Sequence, residues 1–396
     1  MRIKSFLSNF WGKYKIPCSV FLLGNIIIAL VMFLGTDLAL YIHYYHLPAY
    51  LYALVRWDSG WYKAIVLHGY TDIHKATVQS SIVFFPLYPL LVKIGIFVFH
   101  KFAYSSVIVN EVCLFFALIF FYKLGKKLQF GDDIMQKTLL LFAFLPFSFF
   151  LFLPYTESLF LAFIFLTFLL LEEKHYFWGA VVVGIATAIR VPALILVVVY
   201  ASYLLFPYTG DIKKLLLQKQ WLYLPLCISG IFLYILYLKF HFHDPFGFLT
   251  DEAAWGHQAI SLRNVFYPIS FLLTGWHHVR YQANMNAASI FALYYDTIEY
   301  VNVLFLFFPV IAFYWIYKHL PKPYIIFCVL YLCGILLSAD PHAYSVGRYA
   351  LPLFPLYVAL AVFAQKRNIF TYMLLIFFSL FMIFSVFYIN FYGWIA

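Results

Sequence analysis

The sequence predicts an all-α polytopic membrane protein: a bundle of about eleven transmembrane helices, with interfacial helices in its first outer loop. Three observations lead there. Of 396 residues, 65% are hydrophobic and 11% charged, and the mean hydropathy is +0.90, a balance foreign to water-soluble domains of this size. Apolar runs of spanning or near-spanning length recur from end to end. The Lys and Arg residues fall in the gaps between these runs, most of them in alternate gaps. A net charge of +10 would otherwise suggest nucleic acid, but the 26 Lys and Arg form no continuous basic stripe, so the expected partners are membrane lipids and no nucleic acid. The 23% aromatic share, with 48 Phe and 34 Tyr, suits lipid-facing helices and interfacial belts better than a soluble core.

In order, the runs lie at about 18–41, 83–99, 104–122, 138–153, 158–171, 177–206, 222–239, 301–317, 323–338, 349–364 and 369–392. The first follows a basic stretch (Arg2, Lys4, Lys13, Lys15), has no small-x-small cleavage site after it and stays apolar through Tyr41, so it reads as an uncleaved anchor. The run at 83–99 carries Pro86, Pro89 and Lys93; it either spans or lies in the outer interface with its lysine snorkelling. The run at 177–206 is long for one span and is broken by Arg190 and Pro192, as expected of two short helices meeting at a polar kink.

Positive-inside counting decides between these options. If 83–99 does not cross and 177–206 crosses twice, then Arg2, Lys4, Lys13, Lys15, Lys123, Lys126, Lys127, Lys137, Lys174, Lys213, Lys214, Lys219, Lys318, Lys322, Lys366 and Arg367 are all cytoplasmic. Letting 83–99 cross alone moves every later basic cluster outside. Changing both assignments strands Lys123, Lys126, Lys127, Lys137 and Lys174 outside. The first arrangement is preferred; it has a cytoplasmic N-terminus and an outer C-terminus. Three segments then face outward: the first loop with its interfacial helices (about 43–103), a long loop (about 240–300) and the turn at 338–348. No linker, low-complexity tract or internal repeat divides the chain, so residues 1–396 are read as a single domain. Cys18, Cys113, Cys227, Cys328 and Cys333 lack CxxC spacing or a His partner and read as small buried residues.

The chemistry is sought on that outer side. Arg56-Trp57-Asp58-Ser59-Gly60-Trp61-Tyr62 follows the first span, and an aspartate between two tryptophans beside a bilayer is expensive. On a helix from about Leu54 to His68, Arg56, Ser59, Gly60 and Lys63 share a polar face, and Asp58 groups with Trp61, Tyr62 and Ile65. Partial desolvation there suits a general base accepting a hydroxyl proton; the plain alternative is an interfacial helix whose Asp58 caps or pairs with Arg56. Glu157, in Pro154-Tyr155-Thr156-Glu157-Ser158, puts a second acid at the same face, and helix capping accounts for it equally well. Glu111, within a span, needs a partner, with Lys93 or Lys101 the expected counter-ion. Arg190 is the deepest basic residue and suits a lipid-linked phosphate; Arg348 could serve similarly, although snorkelling has more weight for it than for Arg190. His257, His277 and His278 crowd the long loop with Asp244, Asp251 and Glu252, but no metal-ligand spacing appears, so no metal site is proposed and a divalent requirement stays open. No Gly-rich phosphate loop or G-x-S-x-G elbow occurs.

Four motifs in order, Arg56-Trp57-Asp58 through His68-Gly69-Tyr70, Phe84-Phe85-Pro86-Leu87-Tyr88-Pro89-Leu90, Tyr155-Thr156-Glu157-Ser158-Leu159-Phe160 and Ala186-Thr187-Ala188-Ile189-Arg190, resemble those of the glycosylphosphatidylinositol mannosyltransferase 2 (PIG-V) family and its prokaryotic relatives, GT-C glycosyltransferases. The resemblance covers about residues 15–205; beyond it only Gly347-Arg348-Tyr349 and Pro352-Leu353-Phe354-Pro355 are similar. Val191 stands where the family pattern has a polar residue after the arginine. The resemblance implies a GT-C-like multi-pass enzyme that takes a sugar, mannose in that family, from a polyprenyl-phosphate donor on the extracytoplasmic face, with Asp58 as base and no nucleotide needed at this step. An inverting displacement follows, in which Arg190, with Arg348 or Lys63, stabilises the leaving phosphate, and Trp57, Trp61 and Tyr62, beside Arg56, Glu157 and Glu111, receive sugar and the lipid-linked or glycan acceptor. The rival reading is a lipid or lipid-linked glycan transporter or flippase, which calls for mid-membrane ionisable residues and an inverted repeat; neither stands out in the sequence.

Overall fold

The computed structural model describes residues 2–38, 51, 54–71, 79–208, 210, 213–214, 217–251, 298, 301–304, 309, 312–338 and 345–390. Among these, every regular element is helical, as the sequence predicts. Most of the long loop, with Glu252, His257, His277 and His278, lies outside the described residues, as does the stretch at 339–344.

Twelve helices organise the described chain: α1 (Arg2–Leu38), α2 (Asp58–His68), α3 (Leu87–Phe99), α4 (Phe102–Lys127), α5 (Asp132–Phe144), α6 (Glu157–Glu172), α7 (Tyr176–Ala186), α8 (Leu194–Leu205), α9 (Ser229–Phe242), α10 (Lys322–Ser338), α11 (Phe354–Phe363) and α12 (Arg367–Asn390). Four stretches among the described residues are long and apolar enough to cross a membrane: Ser8–Phe33, Phe102–Lys127, Lys219–Phe242 and Asn368–Ile389. Five apolar helices of 10–17 residues occupy other predicted runs. One of these is α3, whose 13 residues reach only about 20 Å at the helical rise, short of a bilayer core of about 30 Å.

Local chemistry sets the ends. Asp132 and Asp133 occupy the first turn of α5, and Lys126 and Lys127 the last turn of α4, each complementing the helix dipole. The apolar run at 138–153 is not one helix. It begins early, at Asp132, and stops at Phe144, because Leu145 takes the extended conformation that a following proline imposes, and a short 3-10 turn, Ser148–Phe152, follows. The run at 177–206 divides as predicted: α7 ends at Ala186, a 3-10 turn covers Val191–Ala193, and α8 resumes at Leu194.

α6 is the axis of the bundle, buried along nearly its whole length and packed against α4 and α7. Phe121 of α4 stacks on Phe165 of α6 at 4.4 Å, and Phe142 of α5 and Phe354 of α11 meet both rings edge-on. Phe rings also fill the interior, where edge-to-face contacts add to burial, while others, Phe33, Phe97 and Phe116 among them, are exposed. α7 and α9 approach backbone to backbone at Gly184 and Gly230, where a methyl group on either would strike the other segment. Thr187 fastens the crossing, its hydroxyl donating to Gly184 O (2.6 Å) and accepting from Ile231 N (3.0 Å). α1 lies against α4, α5 and α12.

Candidate active site

Trp57 adopts a positive-φ backbone (φ 53°, ψ −119°), rare for a bulky residue and worth roughly 1–3 kcal/mol of strain. The chain turns there, so α2 starts at Asp58 and not near Leu54. That start leaves Asp58 grouped with Trp61, Tyr62 and Ile65 but takes Arg56 and Ser59 out of the expected polar face. Ser59 is buried with Tyr62, Ile65 and Val66, whereas Gly60 and Lys63 are exposed. Arg56, before the helix, reaches the last turn of α12, where its Nη1 donates to Ile389 O (2.6 Å) and Tyr388 O (3.4 Å).

Asp58 does not pair with Arg56. Its Oδ2 meets Arg348 Nη2 at 2.7 Å, and Arg348 Nε donates to Glu157 Oε1 at 2.7 Å. The same Oε1 meets Arg190 Nη1 at 3.3 Å. Residues 58, 157, 190 and 348, scattered over nearly 300 positions, thus form one chain of two acids and two arginines. Its inner pair is sealed, with 1% of the Glu157 side chain and 3% of Arg348 exposed; its outer members, Asp58 at 19% and Arg190 at 18%, reach the surface. Burial works against the Arg348 charge, but Glu157 and then Asp58 more than offset it, and the guanidinium holds its proton well above the usual arginine range.

Aromatic rings enclose this chain. The Arg348 guanidinium lies 4.9 Å from the Phe150 ring and 4.8 Å from Tyr155, and that of Arg190 lies 5.7 Å from both Phe160 and Tyr349. The Tyr155 hydroxyl donates to Arg56 O (2.9 Å) and meets the Tyr388 hydroxyl at 3.1 Å. Burial, and then the Asp58 charge, pushes the Tyr62 phenol well above its usual range, so it stays neutral. Arg348 itself is set by a four-residue helical turn, Val346–Tyr349, entered through left-handed Ser345. Gly347 N donates to the Asn302 side chain (2.7 Å), and the Phe147 ring leaves no space for a β-carbon at Gly347.

The structure brings the four sequence motifs together. Trp61 stacks on Phe84 at 5.9 Å, Tyr62 packs edge-on against Phe84 and Tyr88, and Leu87 N donates to Ala188 O at 3.0 Å. Of the expected site residues, Asp58, Glu157, Arg190 and Arg348 converge, with Trp61 and Tyr62 beside them and Trp57 38% exposed. Arg348 is buried, so the weight given to snorkelling is corrected. Lys63 is exposed and joins no ion pair among the described residues, and Arg56 holds α12. Glu111 forms no ion pair with Lys93 or Lys101; its neighbours are Asn25 and Asn110, and its Oε2 is buried without a partner among the described residues. Asp251 accepts a hydrogen bond from Ser80 and Asp244 from Phe246 N (3.1 Å), both structural contacts. Phe150, Tyr155, Tyr349 and Asn302 had no assigned part; Tyr155 and Tyr349 lie within quoted motifs, whereas nothing local marks Phe150 or Asn302.

No protein-family model matches the chain, and no curated protein matches it. Among the described residues no cluster of three or more His, Cys, Asp or Glu is arranged to hold a metal ion. Chemically, the arrangement offers an acid with one engaged and one available oxygen, and a guanidinium with one long ion-pair contact among the described residues.

Proposed function

We propose that the chain is a GT-C-like membrane glycosyltransferase of about eleven spans that moves a sugar, mannose by its resemblance to the PIG-V family, from a polyprenyl-phosphate donor to a hydroxyl of a lipid-linked or glycan acceptor on the extracytoplasmic face. The observation that carries this reading is the division of the ion chain into a buried inner pair and two surface-reaching ends. Asp58 Oδ1 has no hydrogen-bond partner among the described residues, and Oδ2 is held by Arg348, which orients the carboxylate as a base. Arg190 spends Nη1 on a 3.3 Å contact with Glu157, and its other nitrogens bond to no described residue. A guanidinium so placed can give a phosphate two parallel hydrogen bonds.

In the proposed reaction Asp58 Oδ1 takes the acceptor hydroxyl proton as that oxygen attacks the anomeric carbon from the face opposite the phosphate, inverting the centre. Arg190 stabilises the charge gathering on the leaving phosphate oxygen. Trp57 and Trp61 offer flat surfaces to sugar rings. Arg348, first read as a phosphate ligand, is assigned to positioning, because its donors point at Asp58 and Glu157. Lys63 has no part.

The test is transfer by purified protein given polyprenyl-phosphate mannose and a membrane extract as acceptor. Asp58→Asn is expected to lose at least about 100-fold in rate while keeping its fold. Full activity in that variant removes Asp58 from the chemistry, and failure of the wild type to transfer sugar with this donor defeats the reading.

A further inference from the structure

The ion chain contains an orphan. Glu157 Oε1 serves both arginines, yet Oε2 is buried without a hydrogen-bond partner among the described residues, a costly position for half of a carboxylate. Arg348 meanwhile divides its fork, with Nε on Glu157 and Nη2 on Asp58. Nε and Nη2 are the two parallel donors that match both oxygens of one carboxylate. The Asp58 charge holds Nη2 away from that pairing.

We propose that Arg348 and Glu157 relay the charge state of Asp58 to Arg190, so that the site tightens its hold on a lipid phosphate monoester when Asp58 becomes neutral. With Asp58 ionised, the chain of two acids and two arginines is neutral, and Arg190 is partly occupied by Glu157. When Asp58 is protonated, Arg348 Nη2 leaves Oδ2 for Glu157 Oε2 and closes a bidentate pair. Glu157 is then satisfied by Arg348 alone, and the Arg190 contact, already the longer at 3.3 Å, is released to the ligand.

The charges match the chemistry of the proposed reaction, on which the identity of the phosphate rests. The acceptor C–O bond forms, the anomeric C–O bond to phosphate breaks, the hydroxyl proton passes to Asp58 and the bonding electron pair leaves with the phosphate oxygen. A phosphodiester of one negative charge thereby becomes a monoester of nearly two. The site gains one positive charge in the same step, and the relay delivers it where the phosphate lies. Asp58 is the base, whereas Arg348 and Glu157 are positioning residues.

The experiment measures binding of farnesyl phosphate, a monoester, and mannosyl farnesyl phosphate, a diester, to full-length protein in micelles. Asp58→Asn imitates the neutral base and is expected to bind the monoester about tenfold tighter than wild type, with less than about threefold change for the diester. In a Glu157→Gln background Arg190 is already free, so adding Asp58→Asn is expected to gain less than about threefold. Arg348→Lys, which keeps the charge but lacks the fork, is expected to remove the gain too and serves if Glu157→Gln does not fold. The relay is overturned by equal monoester affinity in Asp58→Asn and wild type, by a gain that persists undiminished in either background, or by no monoester binding at all. Sugar transfer is scored separately: coupling without transfer defeats the enzyme reading alone, and transfer without coupling defeats the relay alone.

Discussion

The two ends of α6 each carry a glutamate, and they hold it in opposite ways. Glu157, at the first turn, is sealed from solvent and bound by two guanidinium groups. Glu172, at the last, is partly exposed and accepts from two neutral hydroxyls, Tyr203 at 2.6 Å and Tyr324 at 3.2 Å. A groove of about 310 Å³ opens beside Glu172, and Lys322 on its wall lies over the Phe206 ring at 5.1 Å without pairing with the acid. Solvent and hydroxyl donors suffice where water reaches the carboxylate, whereas a dry carboxylate needs opposite charge. Only the second arrangement links one acid to another, and that linkage is what sets the candidate site apart from a satisfied structural glutamate.

The largest expected effect is at the dry end. Arg348→Ala strands a buried carboxylate and is expected to lower unfolding stability in detergent by at least about 3 kcal/mol. Gly347→Ala forces a methyl group against Phe147 and Asn302, and a loss of about 1–3 kcal/mol is expected together with impaired sugar transfer, since the Arg348 turn must shift. Glu172→Gln keeps acceptors for both tyrosines, and about 1 kcal/mol is expected by the same unfolding measurement. A Glu172→Gln loss as large as that of Arg348→Ala breaks the contrast between the ends. Arg56→Gln is expected to cost about 1 kcal/mol or less and to speed proteolysis near the end of α12.

The sequence made one end of α6 legible and left the other unread. Asp58 and Arg190 stood out because isolated charges in an apolar chain are costly, and the charge count expected both on the outer side. Arg348 was underrated because its depth depends on Asn302, Phe147 and Phe150, partners distant in sequence. The positions of Arg56 and Ser59 were misjudged for a local reason: periodicity assumes a helix through Arg56, whereas positive-φ Trp57 starts it at Asp58. The Phe121, Phe142, Phe165 and Phe354 cluster was hidden too, since helices apolar on every side carry no pattern that separates interior from lipid. Glu172 carried no motif at all.

The bond from Arg56 to the end of α12 bears on how the protein is made. Its two partners, 56 and 389, are separated by 333 residues, an interval of some tens of seconds at about 5–20 residues per second. Tyr388, which meets Tyr155, arrives with the same segment. The turn bearing Asp58 therefore waits on α12, which is made 333 residues later. A nascent chain that has made α1 to α11 would hold both acids and both arginines and still lack the latch that fixes the first of them.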